Sequence, residues 1–326
     1  MVGYEAGFRF SAAARPIKPR ALRPGDMVAL ASPSGPVKPE AVQPLVTQLQ
    51  AWGFRVAVGA SAYSQWGYLA GSDQERAADL NVFFRDPEVA AVLATRGGYG
   101  AMRILPFLDL DTLRRNPKAV VGFSDITALH LALGRIGLVS FHGPVADVAG
   151  KRRSDYSLGC LLKALTSTEP LGTVTSAPEG PRLYALRGGR ATGPLVGGNL
   201  SLITSTLGTP YEIETAGSIL LLEDVEEPPY RIDRMLTQLL LAGKFQGVRG
   251  IVFGEPVGLI EPDPDKPTLT LEQVLADRLG PLGIPVLVGF TAAHGFYRAT
   301  LPLGIRVTLD ADSGVLTFEE PATTDH

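Results

Sequence analysis

Cysteine is nearly absent from this sequence of 326 residues, which contains one, Cys160. A single thiol forms no intramolecular disulfide, and its isolation is typical of a reducing compartment. No Cys and His residues have the spacing of a zinc site, so we expect neither a metal nor another cofactor. Cys160 lies between Leu158-Gly159 and Leu161-Leu162, and we expect it to be a buried packing residue.

Long apolar segments and runs of like charge are also missing. No segment approaches the roughly 20 apolar residues of a membrane-spanning helix, and the first twenty residues lack the apolar centre of a signal peptide. Thirty basic and 33 acidic side chains give a net charge of −3, without a basic run that could follow a phosphate backbone. We therefore expect a cytoplasmic protein that binds neither membrane nor nucleic acid, with residues 1–20 as an N-terminal extension.

Apolar residues make up 45% of the chain, and its length favours two domains. From Asp26 to about Phe141, β-rich runs alternate with helical patterns, which predicts a parallel sheet flanked by helices. The predicted strands are Met27–Ala31, Arg55–Val58, Val89–Thr95, Ala119–Phe123 and Leu138–Phe141. The predicted helices are Lys38–Trp52, Ser72–Phe84, Ala101–Leu108 and Asp125–Gly134, with a capping box in Ser72-Asp73-Gln74-Glu75.

A polar stretch rich in Gly, Pro and Thr separates this half from a second mixture of strands and helices. We expect a domain over residues 21–170, a linker over 171–188 and a second domain over 189–326. The strands predicted in the second half are Ile219–Glu223, Gly250–Phe253, Val286–Val288, Ile305–Thr308 and Val315–Phe318. The helices predicted there are Ser201–Thr206, Arg231–Leu241 and Leu271–Leu279. Clefts between domains favour small-substrate sites.

Ser124 stands where the β-branched run Ala119–Phe123 ends and an amphipathic helix begins. A strand-to-helix turn is a common position for a nucleophilic serine, although serine is also a favoured helix N-cap. Such a hydroxyl needs a base, usually a histidine that a carboxylate orients.

The chain has four histidines, of which three are candidates for the base. His130 lies six residues beyond Ser124 on the same helix, about 9 Å further along its axis, and is expected to be structural. His326 is the last residue and poorly placed for chemistry. His142 follows a strand and could act as base, order its loop or touch substrate, whereas His294 lies in a loop of small residues after a strand and is slightly favoured.

Glu223 and Asp224 follow the apolar run Ile219–Leu222, and either could be the orienting acid. Successive strand residues face opposite ways, so we do not expect both to serve one site. A solvated loop residue or a helix cap is the ordinary role of a carboxylate at this position.

The glycine loop Arg96-Gly97-Gly98-Tyr99-Gly100 follows a strand and opens a helix. It lacks the full spacing of a dinucleotide-binding loop and has no P-loop lysine. Its glycines could bring a backbone N–H to a reacting carbonyl, so that it forms an oxyanion hole with the N–H that follows Ser124, or they could simply permit a tight turn.

Taken together, these motifs resemble the LD-carboxypeptidase family of serine peptidases, which includes murein tetrapeptide carboxypeptidases and microcin C self-immunity hydrolases. The resemblance runs from about Leu22 to Glu319 and is carried by five motifs in the family's order. They are Arg96-Gly97-Gly98-Tyr99-Gly100, Gly122-Phe123-Ser124-Asp125, His142-Gly143-Pro144, Gly197-Gly198-Asn199-Leu200-Ser201 and Leu222-Glu223-Asp224.

The resemblance implies a triad of Ser124 as nucleophile, His294 as base and Glu223 as the orienting acid, with an oxyanion hole formed by the N–H groups of Gly98 and Asp125. It also implies a flavodoxin-like or Rossmann-like N-terminal domain, a β-rich α/β C-terminal domain, an active site between them and a homodimer. Ala293 departs from the family, where a glycine commonly precedes this histidine.

The activity that the resemblance implies is removal of the terminal D-alanine from a murein tetrapeptide, by cutting the amide that follows an L-configured centre. Arg96, Arg231 and Arg234 are candidates for binding the substrate carboxylate. Two alternatives stay open: hydrolysis of microcin-type aminoacyl nucleotide conjugates, and non-catalytic binding of a nucleotide or phosphosugar.

Overall fold

Two sheets, of six and eight strands, organise the chain. The computed structural model describes residues 15–144 and 154–325. Most of the predicted N-terminal extension, residues 1–14, and His326 lie outside the described residues. None of the helices in the described part of the chain is long and apolar enough to cross a membrane.

The first sheet has the order β12-β5-β4-β3-β1-β2, where β12 is Leu301–Leu303 from the second half of the chain. The strands from the N-terminal half are all parallel. The order 2-1-3-4-5 is that of flavodoxin-like folds, which confirms the predicted fold class. The strands are β1 (Met27–Ala31), β2 (Arg55–Val58), β3 (Val89–Ala94), β4 (Ala119–Gly122) and β5 (Ser140–His142). The helices are α1 (Pro39–Ala51), α2 (Asp73–Arg85), α3 (Ala101–Ile104), α4 (Leu110–Arg115) and α5 (Thr127–Arg135).

Local sequence signals explain this half well. Strands β3 and β4 consist almost entirely of Val, Ala and Leu because helices cover both faces of a parallel sheet. Helix α2 begins with the predicted capping box, in which the Ser72 hydroxyl accepts from the Glu75 N–H and the Glu75 carboxylate accepts from the Ser72 N–H. The predicted helix starts at residues 72 and 101 are therefore confirmed to within one residue.

The second sheet has the order β6-β14-β13-β8-β9-β10-β11-β7, with a parallel centre from β8 to β11 and antiparallel strands outside it. Its strands are β6 (Gly172–Thr175), β7 (Tyr184–Arg187), β8 (Arg190–Asn199), β9 (Ile219–Glu223), β10 (Gly250–Gly254), β11 (Val286–Phe290), β13 (Arg306–Asp310) and β14 (Val315–Phe318). The helices of this half are α6 (Asp155–Thr166), α7 (Leu200–Ser205), α8 (Pro229–Leu241) and α9 (Leu271–Leu279).

The segment 171–188, expected to be a linker, contains β6 and β7, which form the two edges of the second sheet. Both strands are only half-buried and four residues long, so their signal in the sequence is weak. Cys160, on α6, is partly rather than fully buried, and the burial that it has raises the pKa of its thiol.

One strand joins the two halves directly. Strand β12 (Leu301–Leu303) comes from the second half but pairs antiparallel with β5 at the edge of the first sheet. Leu30 and Leu93 of the first sheet share a hydrophobic cluster with Leu221 and Leu287 of the second. The two sheets are therefore packed against a common core. Burial of each such side chain contributes about 1.5–3 kcal/mol to its stability.

Candidate active site

Ser124 has a left-handed backbone, with φ of +61°, two residues after the end of β4. Gly122 makes this sharp turn feasible because a Cβ there would lie 2.6 Å from Cγ2 of Ile126. A strained serine between a buried strand and a helix is the geometry of a nucleophile elbow. Such a conformation costs on the order of 1–3 kcal/mol in a non-glycine residue and is concentrated at functional sites.

The glycine loop lies directly against Ser124. A Cβ on Gly97 would be 3.1 Å from Ser124 Oγ and 3.4 Å from the backbone nitrogen of Asp125. Gly98 follows with φ of +107°, a conformation that favours glycine. The loop and the N–H after the serine therefore border the same small space, where the predicted oxyanion hole would lie.

The buried carboxylate of Asp125 fixes this arrangement, a role that the sequence did not indicate. It accepts hydrogen bonds from the Ser34 hydroxyl at 2.5 Å and from the Ala101 N–H at 2.8 Å. Burial raises the pKa of Asp125, while these hydrogen bonds and the charge of Arg76 act in the opposite direction. Arg76, fully buried on α2, donates to the carbonyl of Gly100 at 2.9 Å and also to that of Pro33.

Glu223 and His294 form a hydrogen-bonded pair of 2.7 Å between Oε2 and Nδ1. Glu223 ends β9 and is completely buried, whereas the His294 side chain is 14% exposed. Since a carboxylate oxygen accepts, Nδ1 carries the proton that it donates, which leaves Nε2 as the basic nitrogen of the neutral ring. This is the arrangement that orients a general base.

His294 lies beside the nucleophile elbow. Its ring centroid is 4.8 Å from that of Phe123, the residue before Ser124. Among the described residues, no hydrogen bond joins the Ser124 hydroxyl to the imidazole; such contacts are often long in unliganded enzymes.

Arg298 and His142 hold the loop that carries His294. Arg298 donates to the carbonyls of Ala293 and His294, both at 3.1 Å, and its guanidinium lies 4.9 Å from the centre of the Phe123 ring. His142 at the end of β5 bonds the Ala292 carbonyl through Nε2 at 2.8 Å. His142 therefore anchors the loop that carries His294, and neither this contact nor those of Arg298 were predicted.

His130 is structural. Its Nε2 donates to the Gly122 carbonyl and its Nδ1 accepts from the Ser140 hydroxyl, both at 2.9 Å. Burial lowers its pKa to about 3, so the ring is neutral at physiological pH. His130 supports the carbonyl at the start of the elbow from inside the domain.

Asp224 faces away from Glu223, as strand alternation predicts. Its carboxylate accepts from the Ser201 N–H at 3.0 Å, the Ser201 hydroxyl at 2.8 Å and the Asn199 amide at 3.2 Å, and so caps α7. Burial raises its pKa, while the hydrogen bonds act in the opposite direction. The two adjacent carboxylates therefore have separate surroundings.

The arginines considered for substrate carboxylate binding already have contacts. Arg96 donates to the Pro36 carbonyl at 3.0 Å, Arg231 pairs with Glu227 at 3.1 Å, and Arg234 lies over the Tyr230 ring. In residues 15–144 and 154–325, no group of three His, Cys, Asp or Glu side chains could hold a metal ion.

The fold and this site are those of a two-domain α/β protein with a strained serine after a strand of the first sheet and a paired acid and imidazole beside the preceding Phe123. The N-terminal domain of the LD-carboxypeptidase family matches residues 28–143, and its C-terminal domain matches residues 192–309. The chain belongs to this family, as the resemblance predicted.

Individual relatives agree with this assignment. A probable murein peptide carboxypeptidase of Bacillus subtilis is 40% identical over 93% of this chain and 94% of its own length. The microcin C7 self-immunity protein MccF of Escherichia coli is 28% identical over 94% of this chain and 96% of its own. The muramoyltetrapeptide carboxypeptidase from Oxalobacter formigenes, known from a crystal structure, is 30% identical in sequence. The two structures superimpose with a TM-score of 0.79 over 91% of this chain and 99% of that one.

Proposed function

We propose that this protein is a serine-type LD-carboxypeptidase that removes the terminal D-alanine from murein tetrapeptides. The bond it cuts joins the L-centre of the third residue, such as diaminopimelate, to D-alanine. The observation that carries the proposal is the strained Ser124 elbow against the glycine loop, with the Glu223–His294 pair beside the adjoining Phe123. We also propose that the enzyme is cytoplasmic and homodimeric.

In the first half of the reaction, Ser124 Oγ attacks the scissile carbonyl carbon while His294 Nε2 takes its proton. The oxyanion accepts hydrogen bonds from the N–H groups of Gly98 and Asp125, each contributing about 3 kcal/mol to the lowering of the barrier. The C–N bond then breaks, and the imidazolium gives the proton to the departing amine of D-alanine.

In the second half, His294 takes a proton from water, and the resulting hydroxide attacks the acyl ester. Collapse of this intermediate releases the carboxylate product and returns the proton to Ser124. Glu223 keeps its hydrogen bond to Nδ1 and stabilises the imidazolium that forms in each half.

The murein substrate is favoured over a microcin-type conjugate. The B. subtilis murein peptide carboxypeptidase shares 40% of its aligned residues with this chain, against 28% for MccF. The glycine loop Arg96-Gly97-Gly98-Tyr99-Gly100 also resembles the murein branch more closely. A purely binding protein would give a Glu223–His294 pair no reason to lie beside Phe123, the residue before the strained Ser124.

The test is mass-spectrometric measurement of D-alanine release from a diaminopimelate-containing tetrapeptide, in parallel with a microcin-type aminoacyl nucleotide conjugate. We expect the native enzyme to turn over the tetrapeptide faster and Ser124→Ala to turn over neither. Undiminished turnover by Ser124→Ala would refute covalent catalysis by Ser124. Faster turnover of the conjugate than of the tetrapeptide would show that the murein peptide is not the preferred substrate.

A further inference from the structure

Glu255 is a buried carboxylate that the proposed mechanism does not use. It directly follows β10, the strand between β9, which ends in Glu223, and β11, which leads to His294. The residue is only 6% exposed. In the described part of the chain, no group donates a hydrogen bond to its carboxylate.

The Glu255 carboxylate faces the catalytic loop. A Cβ on Gly295, the residue after His294, would overlap Oε1 of Glu255. Arg298 is the cationic side chain that acts most on Glu255, and its guanidinium donates to the carbonyls of Ala293 and His294. Burial raises the pKa of Glu255, and the charges of Arg298 and His294 only partly oppose this.

The Glu255 carboxylate is therefore open to a donor from a ligand, and a carboxylate whose pKa is raised by burial beside a catalytic loop is a candidate for ligand binding. The carboxyl ends of parallel strands are where open α/β sheets bind their ligands. Glu255 stands at that edge on the strand between those that supply Glu223 and His294. A cationic group of the substrate would give the carboxylate the partner that the protein does not.

We propose that Glu255 binds the ammonium group at the end of the side chain of the residue whose carbonyl Ser124 attacks. This inference rests on the proposed function, because in a tetrapeptide that residue is the third, next to the scissile bond. Diaminopimelate and lysine both carry such an ammonium group. The subsite therefore accepts either and selects against neutral side chains of the same length.

The experiment compares two tetrapeptides that differ only in the third residue, lysine or its uncharged isostere norleucine. A hydrogen-bonded charge pair of this kind corresponds to about 10-fold to 100-fold in affinity. We expect the native enzyme to favour lysine by that factor in kcat/KM, mainly through KM. In Glu255→Gln the preference should fall by at least tenfold. The control Glu272→Gln, an exposed carboxylate on α9, should keep it.

The outcomes separate the two proposals. Release of D-alanine from both peptides with equal kcat/KM by the native enzyme would overturn the role of Glu255 and leave the proposed function intact. An unchanged preference in Glu255→Gln would also overturn it. If neither peptide is cleaved, nor the diaminopimelate peptide, the proposed function itself is wrong. The comparison of the two peptides on the native enzyme needs no variant. Equal kcat/KM would therefore overturn the role of Glu255 even if Glu255→Gln failed to fold.

Discussion

Glu223 Oε2 lies 2.7 Å from His294 Nδ1, and this one hydrogen bond determines which imidazole nitrogen is left for the role of base that we propose. Glu223 is completely buried at the end of a strand in the second domain, so water does not compete for the bond. The serine belongs to the first domain. The catalytic geometry that we propose therefore depends on packing between domains as much as on any one loop.

Replacing Glu223 by Gln should lower kcat by about 10³–10⁴-fold, because the amide neither selects the required tautomer nor stabilises the imidazolium. The neighbouring Asp224→Asn is the matched control. It disturbs the cap of α7, so we expect a loss of about 1–3 kcal/mol in the free energy of unfolding and less than a tenfold change in kcat. Steady-state kinetics and urea unfolding of both variants measure this; equal losses of kcat would contradict the assigned roles.

The strain at Ser124 predicts that two inactive variants differ in stability. Ser124→Ala keeps a Cβ at φ of +61°, whereas Ser124→Gly removes it. Both should lose about 10⁴–10⁶-fold in kcat, and the Gly variant should be more stable than the Ala variant by about 1 kcal/mol. Urea unfolding of the pair tests this, and a more stable Ala variant would argue against strain at the elbow.

A methyl group at position 97 should impair catalysis without unfolding the protein. The new Cβ would lie 3.0 Å from Ser124 Cβ, closer than normal contact, so loop or serine must shift by a few tenths of an ångström. We expect Gly97→Ala to lower kcat by about 10–100-fold. Gly134→Ala on α5, where nothing lies within 4 Å, should instead add about 0.5–1 kcal/mol of stability at unchanged activity. Full activity in Gly97→Ala would show that the loop does not border the reaction.

Gly254 accommodates the alanine that departs from the family pattern. A Cβ at position 254 would lie 2.8 Å from both Ala293 Cβ and Glu223 Cβ. Gly254→Ala should therefore cost about 1–3 kcal/mol by overpacking and reduce kcat by displacing Glu223 or the His294 loop. Adding Ala293→Gly should restore part of both losses. Double-mutant-cycle analysis of unfolding and kcat measures this, and strict additivity would contradict the contact.

The buried His130 should make the protein less stable in mild acid. Its pKa in the folded state, about 3, lies below the ordinary 6.5, so below pH 6.5 the unfolded state binds one more proton. Its contribution is complete above pH 6.5 and declines by about 1.4 kcal/mol per pH unit toward pH 3. Between pH 7.5 and 5 we expect a loss of about 2 kcal/mol from this residue.

His130→Gln should flatten that decline, as measured by urea unfolding across the pH range. Nitrogen NMR of the native protein gives an independent check, since the His130 ring should remain neutral at pH 5. An imidazolium signal from this residue at pH 5 would contradict the assignment.

Signals confined to a few neighbouring residues were readable in the sequence. The capping box at Ser72, the run Ala119–Phe123 before Ser124 and the opposite facing of Glu223 and Asp224 all follow from local geometry. The residue types alone left His142 and His294 both open as the base, and the family resemblance selected His294. That selection stays a prediction, because no Ser124–His294 hydrogen bond is present in the described structure.

Contacts between distant segments were not readable. The Asp125 carboxylate binds Ser34 and Ala101, and Arg298 binds carbonyls that only the folded loop brings near. Strand β8 was also missed, because a run with three glycines has low strand propensity. At Gly198 a Cβ would lie 2.6 Å from Thr127 Oγ1. Close packing against α5 therefore requires glycine at this position.

Strand β12 makes the fold of the first half depend on residues from the second half. The first sheet is completed by residues 301–303, so a fragment ending near residue 170 would leave β5 with an unpaired edge open to other chains. The family's two domains are therefore recognisable as separate segments of sequence, although residues of the second complete the sheet of the first. During synthesis, the serine domain reaches its final form only after the segment bearing His294 has been made.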